Sequence, residues 1–189
     1  MGELVPSMSV FIRNRWPSGE TMYCCALLVW TAPPIGFFAD GKLRRIDIDG
    51  GSVQALASAV AGQGGAWNRD GTILFGTNFV SRLFRISATG GEPVAVTRLD
   101  GQQLGHNFPH FLPDGRHFLY YVRGNVETQN KHTTDWSNES SSRFEICVQP
   151  FSFPEDKPSG KWQISTNGGA QVRWRRDGKE YPRGRRGPN

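Results

Sequence analysis

Apolar residues in this chain come in short runs cut by glycine pairs and Asp-Gly steps, and no long stretch keeps a helical period. The runs Ile35–Phe38 and Leu43–Ile48 flank Asp40-Gly41, a dipeptide whose residues both tolerate positive φ, which predicts a β-hairpin. Gly50-Gly51 ends its second strand. Trp67 precedes a turn at Asp70-Gly71, and Ile73–Phe75 form the next strand. The loop Asn78–Ser81 leads to Leu83–Ile86, where neighbours fall on opposite faces. Gly90-Gly91 then turns the chain into a segment where Val94 and Val96 share a face. Phe111 precedes a turn at Asp114-Gly115, and Phe118–Val122 follow as a strand. Strand pattern returns at Phe144–Val148 and Trp162–Ile164, and Trp174 precedes Asp177-Gly178.

Three stretches break this meander. Residues 1–34 show no sustained period and are expected to be an irregular N-terminal segment. Residues 124–142 are polar, and a structureless loop of that length is uncommon inside a compact domain, so they are expected to be an insertion or the scar of a missing segment. Residues 181–189 hold Pro182, Gly184, Gly187 and Pro188 and are expected to be a basic, disordered tail.

An aromatic, two residues, then Asp-Gly occurs three times: Trp67 with Asp70 and Gly71, Phe111 with Asp114 and Gly115, and Trp174 with Asp177 and Gly178. The first two Asp-Gly steps are 44 residues apart, and the double glycines at 50 and 90 are 40 apart. Four short strands per repeat of about 40–45 residues is the spacing of β-propeller blades. A blade cannot cover both of its own faces, so neighbours must, and the aromatic before each turn is placed to pack between blades. The expected fold is all-β: a partial β-propeller of about three four-stranded blades, in 35–123 with a further blade in 143–180. An antiparallel β-sandwich with recurring turns is the alternative.

The segments W-N-R-D-G-T-I-L-F, L-F-R-I-S-A-T-G-G-E-P-V-A-V-T-R-L-D and F-P-H-F-L-P-D-G-R-H-F-L-Y-Y resemble the TolB-type, WD-like β-propeller repeat. The likeness is nearest to the propeller that follows the kinase domain in many bacterial serine/threonine protein kinases. I-G-F-F-A-D-G-K-L-R-R-I-D resembles the preceding blade, and G-K-W-Q-I-S-T-N-G-G-A-Q-V-R-W-R-R-D-G-K-E a later one. The resemblance covers about residues 35–123 and 143–180. It implies a non-catalytic module that recognises a protein or small ligand on a propeller face, and a periplasmic or extracytoplasmic setting.

Composition narrows the function classes. The formal charge is +5, but residues 1–172 carry fifteen basic and fifteen acidic side chains. The whole excess lies in 173–189, with seven basic residues against Asp177 and Glu180, so a basic nucleic-acid surface across the domain is not supported. The C-terminal arginines lack an aromatic stacking platform and read as a solvated tail. The longest weakly polar run, Tyr23–Phe38, contains Pro33 and Pro34 and falls short of the roughly 20 residues of a membrane span. Cys24, Cys25 and Cys147 make no disulfide framework.

Catalytic signatures are missing from the sequence. It has no Gly-rich kinase loop, H-R-D or D-F-G, and no G-x-S-x-G elbow; Gly62-Gln63-Gly64-Gly65 lacks the phosphate-loop lysine. His106, His110 and His117 lie within 12 residues, but a zinc site needs a fourth ligand, and packing or surface roles fit better. The Asp-Gly steps lack a calcium-loop series and read as turns. No catalytic residue, cofactor or metal is expected, and the nine repeat-motif residues are structural. The alternative is the remnant of a kinase or prolyl-oligopeptidase-like enzyme gene without its catalytic part. Open blade edges also suggest self-association.

Overall fold

The computed structural model describes residues 8–15, 21–28, 34–47, 49–124, 144–151, 160–165 and 168–169, the first two segments by backbone alone. All regular structure among them is β, in three antiparallel sheets that follow one another along the chain. The first sheet has five strands in chain order: β1 (Met8–Arg15), β2 (Thr21–Leu28), β3 (Pro34–Ala39), β4 (Lys42–Asp47) and β5 (Gln54–Ser58). The second has four: β6 (Gly65–Trp67), β7 (Thr72–Gly76), β8 (Leu83–Ser87) and β9 (Val94–Ala95). The third has β10 (Gln103–Phe111), β11 (His117–Gly124), β12 (Phe144–Pro150) and β13 (Trp162–Gln163).

The middle sheet shows why this is no two-layer sandwich. Ile73, Leu74 and Phe75 on β7 are all fully buried. Ile73 and Phe75 join Trp67 and Ile86 in a core with Phe38, Leu43, Leu56 and Ala59 of the first sheet and its exit. Leu74, Ala66 and Leu83 join Phe111, Phe118, Tyr120, Val122 and Cys147 of the third. Successive side chains on a strand point to opposite faces, so a sheet covered on both sides needs a continuous apolar run where a half-solvated one needs alternation. Each fully buried Leu, Ile or Phe contributes ~1.5–3 kcal/mol of transfer free energy.

The Asp-Gly steps form two kinds of turn. Asp40 (φ 49°) and Gly41 (φ 67°) are both left-handed, and Ala39 pairs with Lys42, which is the two-residue hairpin whose twist matches its strands. At Asp70-Gly71 and Asp114-Gly115 only the glycine is left-handed, with φ 75° and 64°. Their loops are longer, closed by Asn68 N–H to Thr72 O (2.9 Å) and Leu112 N–H to His117 O (2.9 Å).

Two domain assignments from sequence need correction. Residues 1–34 were expected to be irregular, yet β1 and β2 lie there, paired from Met8↔Leu28 to Arg15↔Thr21. Pairing is a backbone property, and a segment without alternation carries no sequence mark of it. The blade expected in 143–180 is not separate over its first part. β12 pairs with β11 from His117↔Pro150 to Arg123↔Phe144, and β13 pairs with β12, so both complete the third sheet. The third repeat motif (Trp174, Asp177, Gly178), the stretch 125–143 and the tail 181–189 lie outside the described residues.

Candidate functional site

Among the described repeat-motif residues, Trp67 and Phe111 lie at junctions between sheets. Trp67 ends β6 and is 5% exposed in the core between first and second sheets. Phe111 ends β10 and is also 5% exposed, in the core between second and third sheets. Phe151 packs edge-on against Phe111, ring centres 5.2 Å apart. The following turns are capped differently. Asn68 Oδ1 accepts the N–H groups of Asp70 (3.0 Å) and Thr72 (2.9 Å). In the next repeat Asp114 does this work, its Oδ1 accepting from Arg116 N–H and His117 N–H while Oδ2 meets His117 Nδ1 at 2.5 Å. Burial works to raise the Asp114 carboxyl, but the His117 imidazole and the two backbone N–H groups outweigh it and hold the pKa below the ordinary value.

The second junction also contains a polar network that sequence reading did not find. His106 is fully buried on β10. Its Nδ1 lies 2.8 Å from Thr97 Oγ1 and its Nε2 lies 2.9 Å from Gln103 Oε1. Gln103 Oε1 can only accept and also takes Asp100 N–H (3.2 Å), so Nε2 carries the proton. Nδ1 therefore accepts from the Thr97 hydroxyl, whose oxygen in turn accepts Leu83 N–H at 2.9 Å. Burial, helped by the charge of Lys161 and opposed by Asp100, pushes the His106 pKa down to about 4. Lys161 Nζ donates to Asp100 Oδ2 (2.9 Å), a hydrogen bond and charge that hold that carboxyl below its usual range.

Tyr120 extends the network. Its ring packs edge-on to His106 at 4.9 Å, and its hydroxyl donates to Gln149 Oε1 (3.0 Å). Gln149 Nε2 donates to Val96 O (3.0 Å), tying β12 back to the second sheet. Burial drives the Tyr120 hydroxyl and the Cys147 thiol upward, so both stay protonated at neutral pH. Beside His106, Asn107 is fully buried with neither its Oδ1 nor its Nδ2 hydrogen-bonded. Phe108 follows in a left-handed conformation (φ 52°), where β10 breaks register.

In an antiparallel meander, alternate connections share a rim. One rim carries the β3–β4, β5–β6, β7–β8 and β9–β10 connections. Ala61 N–H to Thr77 O (3.0 Å) joins the β5–β6 and β7–β8 connections, and His106 N–H to Ser81 O (2.9 Å) ties the latter to β10. The backbone of β10 touches the β7–β8 loop so closely that a Cβ on Gly105 would lie 2.1 Å from Phe79 O. This rim exposes Val60 (84%), Val80 (60%), Phe79 and Leu104. Leu104 sits where β10 bulges between Gln103 and Gly105.

The structure separates the three neighbouring histidines. His106 pairs across from Val122 and His110 from Leu119, while His117 caps its own turn. No group of three or more metal-ligating side chains converges among the described residues, and no helix there is long and apolar enough to cross a membrane.

No family model and no curated protein matches this chain. Among solved structures it is similar to a candidate TolB from Agrobacterium tumefaciens, at 15% identity and a TM-score of 0.52. The match covers 86% of this chain and 61% of that structure. With its three successive antiparallel sheets, the chain has a TolB-like β-propeller fold and spans about three fifths of that neighbour.

Proposed function

We propose that the chain is a non-catalytic binding or scaffold module that docks an apolar segment of a protein on the rim formed by the β5–β6 connection, the β7–β8 loop and the start of β10. The observation that carries this reading is that Val60, Phe79, Val80 and Leu104 are exposed on segments whose backbones meet there. Exposed apolar side chains that share one surface mark interaction sites, whereas scattered ones are ordinary. The rim is also held by inter-sheet backbone hydrogen bonds, so little ordering cost would fall on binding. TolB-like folds commonly bind proteins. A role as the sensor of a bacterial serine/threonine kinase rests on the sequence resemblance alone.

The test is a displayed-peptide selection against the protein and against a Phe79→Ser, Val80→Ser double variant. Apolar peptides that bind the former and lose at least tenfold on the latter support the rim. Peptides bound equally by both, or no peptide bound by either, overturn it. A Trp162→Ser variant, altering an exposed side chain on β13, serves as a control and should bind like the unaltered protein.

A further inference from the structure

The rim and the buried network share residues. His106 supplies both the imidazole at the centre of the network and the N–H that holds Ser81 O (2.9 Å) at the end of the β7–β8 loop. Ser81 Oγ donates to Arg82 O and bonds Thr77 Oγ1 (2.8 Å), which braces the same loop across its base. Gly105, the preceding residue, lies against Phe79 O and Val80 Cα. The start of β10 therefore cannot shift without disturbing the loop that presents Phe79 and Val80.

We propose that His106 is an acid-sensitive latch between the second and third sheets, whose protonation frees the β7–β8 loop and abolishes docking at the rim. This rests on the rim reading for its consequence, though not for the latch itself. The hydrogen-bond pattern suits a neutral ring. A proton on Nδ1 would meet the hydrogen of the Thr97 hydroxyl, which already points at that nitrogen, while one lone pair of its oxygen takes Leu83 N–H. The Thr97 hydroxyl would have to turn away into a buried site, and the new charge would face neutral acceptors.

The charged and titratable groups around the ring do not rescue the cation. From the connection after β9, Asp100 favours it, but Asp100 is already engaged by Lys161, which opposes it from beside β13. Arg98, on the same connection, acts on Asp100 and further satisfies that carboxylate. Tyr120 of β11 and Cys147 of β12 are both held protonated and neutral. The contacts to Thr97 and to Ser81 O from the second sheet side are neutral.

Two ligand-free measurements decide the latch. In nitrogen-15 spectra of the whole chain, His106 should show the Nε2–H tautomer and remain neutral from pH 8 to about 5. Titration near the ordinary value of 6.5 would overturn the proposal. Hydrogen exchange at the His106 amide, corrected for intrinsic rate, should lose at least tenfold protection between pH 7 and pH 4.5. The His106→Gln variant should keep its protection constant over the same range. An equal loss in the variant means that carboxylates drive the opening, and the latch is wrong. If that variant does not fold, His106→Asn takes its place in the same comparison. A peptide selected on the rim at pH 7 should lose binding at pH 4.5 in the unaltered protein. Retained binding refutes the coupling of latch to rim, while the absence of any rim-dependent peptide at pH 7 refutes only the rim.

Discussion

The two inter-sheet junctions occupy the same place in successive repeats and are built from different chemistry. The junction of the first and second sheets is a hydrocarbon core around Trp67, with Arg45 reaching over it to Ala88 O (2.6 Å). The junction of the second and third has its own aromatic core around Phe111 but adds a hydrogen-bonded chain running from buried Leu83 N–H, Thr97 and His106 through half-buried Gln103 to exposed Asp100 and Lys161. Apolar packing is insensitive to pH and tolerant of small shifts. A hydrogen-bonded chain fixes register and charge state, at the risk that one lost partner leaves the next unsatisfied. The repeat thus sets where sheets meet, and the residues between motifs set what the meeting responds to.

The largest test of this contrast is to remove each aromatic anchor. Trp67→Ala and Phe111→Ala should each cost about 3–5 kcal/mol by the cavity they leave, measured by urea unfolding. A cost below about 1 kcal/mol for either would show that its junction does not depend on the repeat aromatic.

Acid should separate the junctions next. The His106 pKa is lower folded (about 4) than unfolded (6.5), so neutral His106 stabilises fully above the unfolded value. That stability falls away as pH drops from about 6.5 through about 4, at most ~3 kcal/mol. Unfolding free energy from urea melts at pH 7 and pH 4 should fall less in His106→Gln, by about that amount. Identical declines would remove the second junction as the acid-sensitive one.

Thr97→Val tests the chain at a single link. It strips the acceptor from Leu83 N–H and the donor from His106 Nδ1 while keeping the shape. The expected loss is about 2 kcal/mol, visible as a lower urea midpoint. No effect would mean that water replaces the hydroxyl.

The smallest expected change has the opposite sign. Asn107 is buried with both amide atoms unmatched, so Asn107→Leu should stabilise the protein by about 1 kcal/mol. A destabilised variant would show that the amide is met by something solution provides.

The hairpins and junction anchors were legible because they rest on local chemistry. Asp40-Gly41 needs two left-handed residues, and Gly71 and Gly115 need one each. Trp67 and Phe111 stand at a fixed offset before their turns. The apolar run Ile73–Phe75 already marked a strand, which the structure buries on both faces. What escaped depends on distant partners. His106 looked like one of three clustered histidines, and only the fold shows that it faces Thr97 and Gln103 while His117 serves a turn. Gln149 meets Val96 across 53 residues, beyond any local pattern. β1 and β2 carry no alternation, and the membership of β12 in the third sheet was hidden by the polar stretch before it.

That last pairing has a practical consequence. Arg123 and Phe144 sit opposite one another in a ladder, so the chain leaves the third sheet and re-enters it at adjacent points. The cost of closing such a connection grows only logarithmically, about 0.6 kcal/mol for each doubling of length. The position between them is thus a natural port, where a reporter domain could be spliced in while the ladder that flanks it holds its register.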